Sequence, residues 1–102
     1  MDQQCIYELE DVFVHIKNAH DDNQCHVTKG YRLGELDDVD ILKYAGGELI
    51  ELAEAVGEKD NTHIKEEIGD TMSCLIHLAI KHNIQPHELA HDIIVKMEKR
   101  FA

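Results

Sequence analysis

The chain has no tryptophan, only three tyrosines and two phenylalanines in 102 residues. Stacking platforms for nucleobases are therefore scarce, and the core has to be built from aliphatic side chains. Long apolar runs are also missing: no stretch approaches the roughly 18 apolar residues of a membrane-spanning helix. Positive charge is in short supply, with 10 Lys and Arg against 21 Asp and Glu and a formal net charge of −11. Such a chain repels a phosphate backbone or an anionic bilayer unless divalent cations intervene, so neither nucleic acid nor membrane is an expected partner. Cysteine is limited to Cys5, Cys25 and Cys74, odd in number and without a Cys-x-x-Cys pair. The N-terminus carries acids in place of the cationic and apolar runs of a signal peptide, and the expected compartment is a reducing cytoplasm.

The remaining composition fits one folded domain over residues 1–102, large enough for a single core and small for an independent monomer. Ile6, Leu9, Val12, Phe13 and Ile16 recur at helical spacing and predict a first helix from about Gln3 to Ala19, ending in the polar run His20 to Gln24. Residues 21 to 40 show no clear period and predict a loop able to lie over a site. A second helix is expected from about Asp40 to Gly57, with Leu42, Ala45, Leu49, Leu52, Ala53 and Val56 on one stripe. Gly46 and Gly47 interrupt it, which implies close approach by a neighbouring helix or ligand, or else a later start. Lys59 to Asn61 read as a turn and Thr62 as the N-cap of a third helix that runs to about His82, with Ile64, Ile68, Met72, Leu75 and Ala79 inward. Asn83 suits a helix C-terminus and Pro86 the first turn of a fourth helix, whose apolar face is Leu89, Ile93, Ile94, Met97 and Phe101. Three or four helices without a credible strand predict an all-α, four-helix-bundle-like fold.

Two carboxylate pairs stand out on these helices. Glu48 with Glu51, and Glu67 with Asp70, are separated by the same 19 positions (48 to 67, 51 to 70). With Leu49 and Ile68 as centres of their apolar stripes, Glu48 and Glu67 each lie about 100° to one side, and Glu51 and Asp70 about 160°. Antiparallel packing across a short turn would open both pairs onto one groove, where four acidic oxygen donors suit Mg²⁺. The plain alternative is a set of solvated charges, because a chain this acidic produces Glu-x-x-Glu patterns by chance.

The run Gly47 to Val56, GELIELAEAV, followed by Glu66 to Asp70, EEIGD, and a basic final helix ending KMEKRF at Lys96 to Phe101, resembles the MazG-like all-α nucleotide pyrophosphohydrolases. Their signature is EExxE, a spacer, then ExxD, and the resemblance covers about residues 42 to 102. It places the metal-binding positions on Glu48, Glu51, Glu67 and Asp70. Gly47 stands where the family has its leading acid. The resemblance implies Mg²⁺-dependent cleavage of a nucleoside triphosphate, ribo or deoxy, between the α and β phosphates to a monophosphate and pyrophosphate, with Mn²⁺ as a substitute metal. It also implies a homodimer or dimer of dimers, in which helices of two protomers share one core. Glu51 is the candidate for orienting or deprotonating the attacking water. Lys96 and Arg100, one turn apart, are candidates for the β and γ phosphates, with a solvated basic helix end as the alternative.

Other constellations compete less well. His87 to His91 reads HELAH, the literal zinc-peptidase pattern, but no downstream residue supplies a third ligand, and two exposed imidazoles near a helix start are the better expectation. His63, His77 and His82 read as surface or rim residues, and Cys74 as a buried free thiol. A non-catalytic helical oligomerisation module, with the acids serving only solubility, is the alternative function. The apolar residues exceed what one small bundle readily covers, which independently favours assembly.

Overall fold

A computed structural model describes residues 7–21 and 36–101, and within them the chain is all-α: four helices and no strand. Helix α1 spans Leu9–Asp21, α2 Asp38–Glu58, α3 Asn61–Lys81 and α4 Pro86–Phe101. The expected start of α1 near Gln3 is corrected, since Tyr7 and Glu8 are non-helical. The Glu8 N–H donates to the Asp11 carboxylate at 2.9 Å, so an acid one turn inside satisfies a backbone donor that the start of a helix leaves over. Ile6, Cys5 and Cys25 lie outside the described residues, as does most of the expected 21–40 loop.

The acidic stretch before α2 is a helix start. Asp37 is the N-cap, its Oδ1 accepting from the Asp40 N–H at 2.8 Å, and Asp38 and Asp40 put negative charge at the positive end of the helix dipole. From there α2 runs unbroken through Gly46 and Gly47, contrary to the expected interruption. A Cβ built on either glycine meets nothing within 4 Å, so nothing in the chain requires close approach there. Lys59 adopts φ 59° at the end of α2, and its N–H bonds to the Val56 carbonyl at 3.1 Å while that of Asp60 reaches Ala55 at 3.3 Å. Asp60, not Thr62, is the N-cap of α3, accepting from the His63 N–H at 3.2 Å.

This two-residue connection folds α3 back along α2, and those two helices make the principal contact of the fold. Their far ends are tied as well. Lys81 Nζ donates to the Leu36 carbonyl at 2.7 Å and lies 3.2 Å from Asp38, while His82 Nε2 is 2.8 Å from the other Asp38 oxygen. Hydrogen bonds from His82 and then Lys81 hold the Asp38 carboxyl below its ordinary value. Asn83, at φ 56°, ends α3 as expected, with its own N–H bonded to Ile80 and that of Ile84 to Ala79, and Pro86 opens α4.

The core is two small clusters. Leu36, Ile41, Ala45 and Cys74 pack between α2 and α3, and Phe13, Ile16, Ile76 and Ala79 between α1 and α3. The inner face of α2 is therefore Ile41, Ala45 and Ala55, which displaces the stripe centred on Leu49. Leu49 is 54% exposed, and Leu42, Val56, Ile68, Met72 and Leu75 are exposed with it. Leu9 and Val12 are also on the surface, whereas Phe13 and Ile16 carry the contact of α1.

Candidate metal centre

Positions 45, 48, 52 and 55 of α2 follow one another at intervals of three and four, so Glu48 belongs to the same face as buried Ala45 and Ala55. On α3 the matching series is 67, 71, 74 and 78, which puts Glu67 in line with buried Cys74. Alanine at 45 and 55 lets the two helices approach closely, because interaxial distance follows side-chain size. Glu67 is buried, with 6% of its surface exposed, Glu48 is half-buried and Asp70 lies at the exposed rim. One oxygen from each of the three comes within 4.8 Å of the others.

Like charges this close are costly. At an effective dielectric of ~20, two unit charges at such a distance repel by roughly 3 kcal/mol. The protein's partial answer is to favour a proton on Glu48, whose carboxyl is pushed up to about 7, by burial first, then by side-chain interaction with Glu67, then by the charges of Glu51, Glu67 and Asp70. Burial, followed by the charges of Glu67 and Glu66, also raises Asp70. Even so, Glu48 Oε2 and Glu67 Oε2 are buried with no hydrogen-bond partner. Two orphaned acceptors carried by members of a cluster of three carboxylates have the donor chemistry of a hard divalent cation site, and oxygen-only donors fit magnesium or manganese.

Of the four acids singled out in the sequence, the fold brings Glu48, Glu67 and Asp70 together. Glu51 is exposed one turn along α2, outside the converging set, and near enough for its charge to act on Glu48. Lys96 and Arg100 are exposed on α4, which comes no closer than 8 Å, Cα to Cα, to α2 or α3. His87 and His91 are exposed as expected, and among the described residues the carboxylate trio is the sole group of three or more ligand-type side chains that converge. Cys74 is the expected buried thiol, its pKa pushed up to about 11 by burial and then by the charges of Glu48 and Asp70.

One histidine departs from expectation, and another does more than expected. His77 is buried at 2% exposure rather than at the surface, because its position on α3 falls between the faces that meet α1 and α2. His63 is at the rim, as expected, and from there touches the centre: its Nε2 lies 3.3 Å from Glu67 Oε1 and its Nδ1 3.9 Å from Glu58 Oε2. The signal for this contact was present in the sequence, since residues four apart on a helix are neighbours. A separate cleft of about 520 Å³ between α1 and the α3–α4 turn, lined by Phe13, Lys17, Ile80, Ile84 and His87, is remote from the trio and has no comparable convergence of ligand groups.

Compared with known families, residues 38–101 match the model of the MazG nucleotide pyrophosphohydrolase domain. The match spans α2, α3 and α4 entire and follows α1. No curated protein and no solved structure matches the chain.

Proposed function

Because the chain belongs to the MazG nucleotide pyrophosphohydrolase family, we propose that it is a Mg²⁺-dependent enzyme, with Mn²⁺ as a substitute, that cleaves (d)NTP to (d)NMP and pyrophosphate. The observation that carries this is the trio of Glu48, Glu67 and Asp70 with its two orphaned, buried oxygens. A trio that only kept the surface soluble has no reason to bury Glu67 or to force a proton onto Glu48 at neutral pH.

In this proposal Glu48, Glu67 and Asp70 hold the metal, and Glu51 completes the set from the rim. Bound there, the ion supplies charge neutralisation for the phosphates and polarises the α-phosphorus, which an acidic protein cannot do by itself. Glu51 also accepts a proton from the attacking water or orients it, because it is exposed and one turn from Glu48. Lys96 and Arg100 bind the β and γ phosphates once assembly brings an α4 up to the cluster. That assembly is a homodimer or a dimer of dimers. Its support is the unpaired apolar surface of α2, α3 and α4, where Leu49, Ile50, Leu75, Ile94 and Phe101 are all about half exposed or more.

Residues 1–102 act as one domain in this reading, since Phe13 and Ile16 of α1 share a core with Ile76 and Ala79 inside the family match. No helix among the described residues is long and apolar enough to cross a membrane, and the proposed site of action is the cytoplasm. A non-catalytic oligomerisation module would account for the apolar faces and leave the orphaned carboxylates unexplained. The deciding experiment is a panel of ribo- and deoxyribonucleoside triphosphates with Mg²⁺, following monophosphate and pyrophosphate. Pyrophosphate release that chelation abolishes is expected. Orthophosphate as the first product, or no turnover across the panel, overturns the proposal.

A further inference from the structure

The geometry points to His63 as a positioning residue for the metal centre, an inference that rests on the functional reading above. Glu67 is the most buried of the three carboxylates, and the last torsion of a glutamate is soft, so burial alone does not fix the plane in which its oxygens lie. His63 sits one turn earlier on α3 and brings Nε2 to 3.3 Å from Glu67 Oε1. This close imidazole contact biases the plane by drawing on Oε1, and leaves Oε2, which has no hydrogen-bond partner, as the donor available to a cation.

The backbone that carries the ring is itself held. Its residue occupies the first turn of α3, where its backbone N–H donates to the Asp60 cap at 3.2 Å. Glu58 Oε2 lies 3.9 Å from Nδ1 on the far side, so the imidazole stands between the end of α2 and the buried carboxylate. Its nitrogens are not among the atoms that converge within 4.8 Å, which separates it from the ligands. An outer partner of this kind orients a ligand, and its loss typically weakens metal binding by about 10–100-fold.

The test is a titration of the full chain with Mn²⁺ alone, read by the electron paramagnetic resonance of the free ion, for wild type, His63→Ala and His63→Gln. Helicity is followed by circular dichroism on the same samples. Wild type binds Mn²⁺, His63→Ala loses about 10–100-fold in affinity with its helices intact, and His63→Gln, whose amide N–H reaches one turn along the helix, recovers most of that loss. Equal affinity in wild type and His63→Ala overturns the inference while leaving the metal centre standing. Loss in His63→Gln as deep as in His63→Ala also overturns it, since a restored donor then has no effect. Wild type without Mn²⁺ affinity overturns the inference and the metal reading together. Should His63→Ala fail to fold, His63→Leu, which also lacks a donor, takes its place: affinity lost there and kept in His63→Gln supports the inference, and equal affinity in all three overturns it.

Discussion

Replacing Glu48 by Gln should make the metal-free protein more stable at pH 8, and the size of the gain follows from the carboxyl itself. Glu48 is raised from 4.5 to about 7 in the fold. Below pH 4.5 it is protonated in both folded and unfolded chains and costs nothing. Between 4.5 and 7 the native state holds a proton that the unfolded state has released, so stability falls as pH rises, and above 7 the full cost of an ionised Glu48 is present. At 1.36 kcal/mol per pH unit the shift corresponds to roughly 3 kcal/mol. Glu48 is only half-buried, and screening by water brings the expected cost nearer to ~1–2 kcal/mol. Gln keeps a hydrogen-bonding group beside Glu67 and carries no charge. In EDTA at fixed protein concentration, Glu48→Gln should melt roughly 5–15 °C above wild type at pH 8, with the two converging near pH 4.5. Mg²⁺ at a hundredfold excess over its dissociation constant should stabilise wild type by about 2.7 kcal/mol and leave the variant nearly unmoved. A variant that melts below wild type at pH 8, or a difference that does not change with pH, would refute the crowded-carboxylate account.

Glu67→Gln and Asp70→Asn should each abolish metal-dependent turnover with helicity retained, and either variant keeping near wild-type turnover removes its residue from the proposed ligand set. Cys74 should resist a thiol reagent at pH 8 in the native protein and react at once in denaturant, because it is buried and its thiol is pushed up to about 11. Fast native labelling at Cys74 would show that the α2–α3 seam opens. Sedimentation at micromolar concentration should give a dimer or tetramer, and an active, stable monomer of 11.7 kDa would leave the apolar faces of α2, α3 and α4 without a function.

Most of the helical layout was legible because it rests on local chemistry. Proline at the start of α4, asparagine at the end of α3 and 3.6-residue periodicity act within a few positions and need no knowledge of the rest of the chain. Caps were harder to place within a residue or two. Asp60 and Thr62 both suit the start of α3, and the choice depends on Lys59 taking a left-handed conformation that brings Asp60 into position. The glycine pair misled for a different reason. Helix cost is a weak local term, and α2 continues through Gly46 and Gly47 because Ile41, Ala45 and Ala55 on either side are fixed by packing.

The misplaced core and the convergence of Glu48, Glu67 and Asp70 have one cause. Periodicity identifies the most apolar face of a helix and is silent on which body covers it, this chain or another. On α2 that face, Leu42 with Leu49 and Val56, remains exposed, and the narrower face of Ile41, Ala45 and Ala55 meets α3. Turning the helix by that amount carries Glu48 from the edge of the contact into it, and the same rotation of α3 carries Glu67 inside while Asp70 stays at the rim. Both helices turn in the same sense, so Glu48, Glu67 and Asp70 still converge although what they face was misjudged, whereas Glu51 falls outside the set. Glu51, a turn farther along, stays exposed. The rotation that brings the carboxylates together is the same one that leaves the apolar face of Leu42, Leu49 and Val56 uncovered by this chain's described residues.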